Sequence, residues 1–189
     1  MHTIEWESHP IGESCQLNEY ASFWNGRLYK LSYNNQSGHI VTKPSFKMLQ
    51  NSICGFGYFN STELYLQLIS NKEERKLCIC KRENEGESIG HVEQHRFLLH
   101  GNTYYVDVKM KNIFSSKTDG DISVDIRLPF LKKLFSFKAY NLDKKWYKNL
   151  SYDDHLHGTI ALTEEPDWEF ILSLFFQLDC HIDLNTNRD

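Results

Sequence analysis

Apolar and polar residues alternate with a period of two at four places along the chain: Tyr29, Leu31, Tyr33; Leu64, Leu66, Leu68; Tyr104, Val106, Val108, Met110; and Ile122, Val124, Ile126. Successive side chains of a strand point to opposite faces, so each run predicts a half-buried β-strand. Between them lie 34–38, 71–74, 84–87, 101–102 and 119–120, which are rich in Asn, Asp and Gly. These residues tolerate positive φ and mark tight turns. A turn signal about every ten to fifteen residues predicts an antiparallel meander of ten or more short strands. No composition break or long linker divides it. The chain therefore reads as an N-terminal segment at 1–25, one barrel domain at 26–183 and a short tail at 184–189.

The last element follows a different rule. Over 168–178 the sequence is W-E-F-I-L-S-L-F-F-Q-L, in which only Glu169, Ser173 and Gln177 are polar. Their i, i+4 spacing gathers them into one narrow helical stripe and leaves every other direction apolar. Pro166 suits the first turn, and Asp167 with Glu169 complements the positive end of the helix. A helix over about 166–178 is thus predicted, greasy around most of its circumference. It is bounded by Asp167 and Asp179 and is far shorter than the ~20 apolar residues a membrane span needs. Such a helix needs a protein enclosure. The chain is therefore expected to be mainly β, a closed antiparallel β-barrel of about 10–12 strands enclosing a hydrophobic C-terminal α-helix.

Three pieces of sequence resemble a known family. Ile89-Gly90-His91-Val92-Glu93-Gln94 is similar to the Ile-Gly-Tyr-Val-x-Gln stretch of phospholipid scramblases, and its Gly90 would let a neighbouring backbone approach closely. Lys145-Trp146 falls where scramblases carry a Lys-x-Trp-like element. Residues 167–182 resemble their terminal hydrophobic helix followed by an acidic residue. Over roughly 26–183 the chain thus resembles the tubby C-terminal-like superfamily, which includes the scramblases and the LURP-one-related proteins. The resemblance implies a barrel with a central helix, and the tubby branch binds anionic phosphoinositide or membrane surfaces. Scramblases carry a proline-rich leader and a cysteine cluster for lipidation; here the leader is short and no cysteine cluster occurs. Tyr152-Asp153-Asp154-His155 lacks their alternating acidic ligands, so calcium dependence and lipid scrambling are not implied.

Charge adds a candidate surface. The 189 residues carry a net charge of −4. Within 127–148, however, seven cations stand against Asp143 alone, a net of +6 that leaves −10 for the remainder. The cations are Arg127, Lys132, Lys133, Lys138, Lys144, Lys145 and Lys148, interleaved with Phe130, Phe135, Phe137, Tyr140, Trp146 and Tyr147. Arg127, Lys132, Lys133, Lys138, Lys144, Lys145, Trp146 and Lys148 are accordingly the candidate site for an anionic phospholipid surface or a protein partner. The other reading makes the aromatics inward strand positions and the lysines their solvated alternates. Overall negative charge and the lack of a recognition motif argue against nucleic acid.

Little else points to chemistry. No nucleophile elbow, zinc-protease helix, phosphate loop or nucleotide fingerprint occurs, so no catalytic residue is assigned and no cofactor is expected. Asp153, Asp154, His155 and His157 lack a second ligand cluster and read as a polar turn. The five cysteines form no framework spacing, and Cys78-x-Cys80 on a strand reads as two small hydrophobes on one face. The first 25 residues carry Glu5, Glu7, Glu13 and Glu19 in place of a basic, then apolar, export signal. Reduced thiols and a cytoplasmic location, with attachment at the periphery of a membrane, are expected. The leading expectation is a non-enzymatic binding module. The alternatives are a lipocalin-like carrier of a small apolar ligand and an intracellular inhibitor or effector.

Overall fold

The computed structural model describes residues 1–11, 26–43, 53–70, 75–81, 87–110, 121–141 and 155–186. Its strands are β1 (His2–Pro10), β2 (Arg27–Tyr33), β3 (Gln36–Thr42), β4 (Ile53–Phe59), β5 (Thr62–Ser70), β6 (Arg75–Lys81), β7 (Ser88–Val92), β8 (Arg96–Leu99), β9 (Asn102–Met110), β10 (Asp121–Arg127), β11 (Lys133–Asn141) and β12 (Leu156–Leu162). Each is antiparallel to the next, and β1 pairs with both β2 and β12, from His2 opposite Leu162 to Ser8 opposite Leu156. The result is a closed twelve-stranded meander barrel. Closure satisfies the ladder groups that an open sheet would leave at its two edges.

All four alternating runs lie in strands; of the expected turns, those at 34–38 and 101–102 are described, while 71–74, 84–86 and 119–120 lie outside the described residues. Asn34 and Asn35, with φ of 47° and 62°, form the two-residue connection of β2 to β3. His100 and Gly101, with φ of 49° and 78°, do the same between β8 and β9. Two successive positive φ values give the turn whose twist matches that of the flanking strands.

The domain boundary at residue 26 does not hold, because β1 lies wholly within the segment expected to precede the barrel and is the strand that closes it. Its alternation is plain once seen: Ile4, Trp6 and Ser8 are buried, while Thr3, Glu5 and Glu7 are exposed. The helix also differs from expectation. α1 runs over Trp168–Thr186, so it starts two residues after Pro166, continues past Leu178 and takes in part of the expected tail. Asp179, expected to bound the helix, lies inside it.

α1 occupies the inside of the barrel. Every residue from Ile171 to Asp179 is buried. Rings reach it from strands on opposite sides: Trp6 of β1 lies 5.3 Å from Phe175, and Phe97 of β8 lies 5.5 Å from Phe170. Gly55 of β4 makes room for this, since a Cβ there would come within 3.0 Å of the Phe176 ring and 3.2 Å of a backbone oxygen. Among the described residues no helix is long and apolar enough to cross a membrane.

The polar stripe of α1 is hydrogen-bonded in part, with Gln177 Oε1 left buried and without a hydrogen-bond partner among the described residues. Ser173 Oγ donates to the carbonyl of Glu169 at 2.6 Å, and Gln177 Nε2 donates to the carbonyl of Gln94 at 2.9 Å. That second bond ties the helix to the connection between β7 and β8, within the Ile89 to Gln94 motif. Gly90 of the same motif lets the paired strand β8 approach closely, because a Cβ there would sit 2.0 Å from the Leu98 carbonyl oxygen. No side chain fits that gap.

Candidate functional site

The cationic candidates that the structure describes lie along β10, β11 and the connection between them. Arg127 ends β10, a 3-10 turn spans Pro129–Leu131, and Lys133 begins β11. Leu128 N–H donates to the Lys132 carbonyl at 2.9 Å, which closes the loop across the turn. β11 then alternates as expected. Phe137 is buried against Trp6, their rings 6.1 Å apart, and Phe135 reaches Phe170 at 5.7 Å, whereas Ser136 and Lys138, which alternate with them, are exposed. Phe135 and Phe137 are thus inward positions and Lys138 is a solvated alternate.

Sequence counting treats all the cations alike, but register separates them. Strand pairing sets Arg127 opposite Tyr105 of β9 and Lys133 of β11, and brings Asp107 and Asp125 beside them. Arg127 Nη2 lies 3.5 Å from Asp125 and 3.8 Å from Asp107, while Lys133 Nζ lies 3.2 Å from the other Asp125 oxygen. Two of the expected surface cations are therefore largely compensated by acids from outside the basic stretch. Lys132 and Lys138 are exposed and make no ion pair among the described residues. Lys144, Lys145, Trp146 and Lys148 lie outside the described residues.

At the turn, Phe130 is fully exposed, at 102%, and holds φ of 70° and ψ of 21°. Tyr105 and Leu134 are the other large apolar residues exposed near it, at 40% and 39%.

Two further polar clusters, outside the candidate site that the sequence suggests, sit at opposite ends of the buried part of α1. In the first, Arg27, Tyr29, Ser8 and Asp179 are all buried. Tyr29 Oη donates to Asp179 Oδ1 at 2.9 Å, Arg27 Nη1 donates to Ser8 Oγ at 3.0 Å, and Arg27 Nε lies 4.0 Å from the Asp179 carboxylate. The signal for it lies in the alternation, since Arg27 continues the inward phase of Tyr29 and Leu31. In the second, Glu169 meets Lys81 and His100. Burial pushes its carboxyl up, but the hydrogen bonds from Lys81 and His100 outweigh this and hold it below its ordinary value. Both clusters anchor the helix in the barrel.

Of the described thiols Cys54, Cys78 and Cys80 are buried and Cys180 half-buried, and Cys15 lies outside the described residues. Cys78 and Cys80 share one face of β6 and are buried, and burial followed by the neighbouring Cys78 pushes the Cys80 thiol up, away from the reactive thiolate. Cys54, Cys78, Cys80 and Cys180 are free of disulfides. His155 lies 6.1 Å from the His9 ring, and Asp153 and Asp154 lie outside the described residues. Among the described residues no group of three or more His, Cys, Asp and Glu side chains is arranged to hold a metal ion.

No family model, curated protein or solved structure matches this chain.

Proposed function

We propose that the chain is a non-enzymatic binding module of tubby and scramblase-like type that attaches peripherally, in a reducing compartment, to an anionic phospholipid surface. The observation that carries this reading is the contrast along β11 and the turn before it: Lys132 and Lys138 face solvent with no ion-pair partner among the described residues, while Phe135 and Phe137 turn into the barrel. The family reading is supported by the filled barrel and by Gly90, whose close approach to β8 only a glycine fits. The occupied interior weighs against a lipocalin-like carrier, because α1 stands where such a ligand would lie.

The strength of attachment follows from the charges. Each basic side chain near an anionic leaflet contributes ~1 kcal/mol. Arg127 and Lys133 are discounted by Asp107 and Asp125, so Lys132 and Lys138 supply ~2 kcal/mol, and Lys144, Lys145 and Lys148 would bring the total to ~5. That corresponds to a dissociation constant of a few tenths of a millimolar, which salt weakens. Co-sedimentation with vesicles containing phosphatidylserine, at low and high salt, tests it. A variant with Lys132, Lys133, Lys144 and Lys145 changed to Gln should lose most of the low-salt binding. Equal binding by the two proteins, or none by the parent, removes the reading.

A further inference from the structure

We propose that the turn at Phe130 is the element of this surface that enters the bilayer, with Tyr105 and Leu134 resting at its interface. This rests on the membrane reading above and adds the depth and orientation of attachment.

Phe130 makes no use of the fold. Its side chain is as exposed as in an extended chain. Its φ of 70° places an aromatic residue in the left-handed region that favours glycine. A position that gains nothing from packing and costs backbone strain would be better filled by Gly if stability alone decided. An apolar ring held outward at the tip of a hairpin connection suits burial in a second apolar phase.

The surroundings of the ring identify that phase. Tyr105, Arg127 and Lys133 lie side by side on β9, β10 and β11, and Leu134 follows Lys133, so the three exposed apolar groups share one corner of the barrel. Arg96, opposite Tyr105 on β8, and Arg127, Lys132 and Lys133 surround it. Glu93, Asp107 and Asp125 compensate Arg96, Arg127 and Lys133, which leaves Lys132 as the local excess of charge. The corner is therefore an apolar tip inside a weakly cationic collar. A protruding tip needs a complementary pocket in a protein partner, whereas lipid closes around it and its anionic headgroups meet the collar. Because so much of the collar is already paired, attraction between charges cannot be the whole hold. A part of the binding should survive high salt.

The test uses the full chain with mixed phosphatidylcholine–phosphatidylserine vesicles, comparing the parent with Phe130→Gly and Phe130→Leu at low and high salt. The Gly variant relieves the strained φ and removes no packed contact, so its thermal unfolding should match or exceed that of the parent. Its salt-resistant vesicle affinity should nevertheless fall about tenfold or more, while the Leu variant stays within about threefold of the parent. Salt-abolished binding in the parent, or equal salt-resistant binding by Phe130→Gly, overturns the insertion and leaves the lysine surface standing. No binding of the parent to any of these vesicles overturns both. A parent that self-associates in light scattering, with the Gly variant monomeric and vesicle binding equal in the two, assigns the corner to a second copy of the chain and also overturns it.

Discussion

The two ends of the enclosed helix meet the barrel by different physics. Where α1 begins, the contacts are rings: Trp168 stacks on Phe59 with centroids 3.5 Å apart and planes 10° from parallel, and Phe170 sits among Phe97, Tyr104 and Phe135 at 5.0 to 5.7 Å. Eleven residues on from Trp168, Asp179 is held by Tyr29 and faces Arg27, with no exit to solvent. The ring end is a sum of many weak contacts, so removing one leaves the rest in place. The charged end is conditional. A buried carboxylate and a buried guanidinium offset each other's desolvation, and removing either one takes away an opposite charge that the other was buried against.

The largest effect should come from making the middle of the helix behave like its charged end without a partner. Phe175 lies between Trp6 at 5.3 Å and Tyr29 at 5.2 Å and is fully buried. Changing it to Asp places a charge there at a cost of several kcal/mol, against a total stability of ~5 to 15. We expect the loss of a cooperative thermal transition. A Phe175→Asp protein that melts like the parent would show that α1 is not the centre of the core.

The comparison itself is sharpened by a double-mutant cycle at each end. Asp179→Ala should cost ~3 to 5 kcal/mol in urea unfolding, because Arg27 is left charged and enclosed. Changing both partners, as in Arg27→Met with Asp179→Leu, should recover most of that loss. The stacked pair Trp168 and Phe59 should instead show a coupling of only ~0.5 to 1.5 kcal/mol. Equal couplings at the two ends would mean that the buried charges are not held as a unit.

This division also decides what could be read in the sequence. Strands announced themselves because inward positions such as Leu64, Leu66 and Leu68 alternate with outward ones, and the helix because eight of eleven residues at 168–178 are apolar. Those signals are local. β1 is hard to read because Glu5 and Glu7, which argue against an export signal, are also the outward positions of a strand whose inward ones are Ile4 and Trp6. Asp179 looked like a helix boundary because a lone charge after an apolar run normally meets water. Its partners come from 150 residues away in Tyr29 and from Arg27, and only the closed barrel brings them together. The cationic site shows the same limit. Alternation placed Lys138 outward, but the neutralising of Arg127 and Lys133 by Asp107 and Asp125 depends on strand register, which no local pattern contains.

The smallest effect tests whether the ring end also carries a conditional charge. Glu169 stands one residue beyond Trp168, with Lys81 and His100 on its two carboxylate oxygens. Its carboxyl lies below the ordinary 4.5 in the folded protein, since burial, the largest single influence and an upward one, is outweighed by the hydrogen bonds and charges of the two partners together. A depressed carboxyl contributes stability that is present above the unfolded pKa and is lost as pH falls through the folded value. Glu169→Gln should therefore be less stable than the parent near pH 6, by about 1 kcal/mol or less, because Lys81 is partly exposed and solvent screens the pair. As the solution is acidified below 4.5 the two proteins should converge, the parent losing its advantage and the Gln variant having none to lose. Unfolding followed against pH reads this directly. A gap that persists undiminished through the acid range would show that Glu169 acts through the shape of its side chain rather than its charge, and the ring end would then be apolar in its energetics as well as in its contacts.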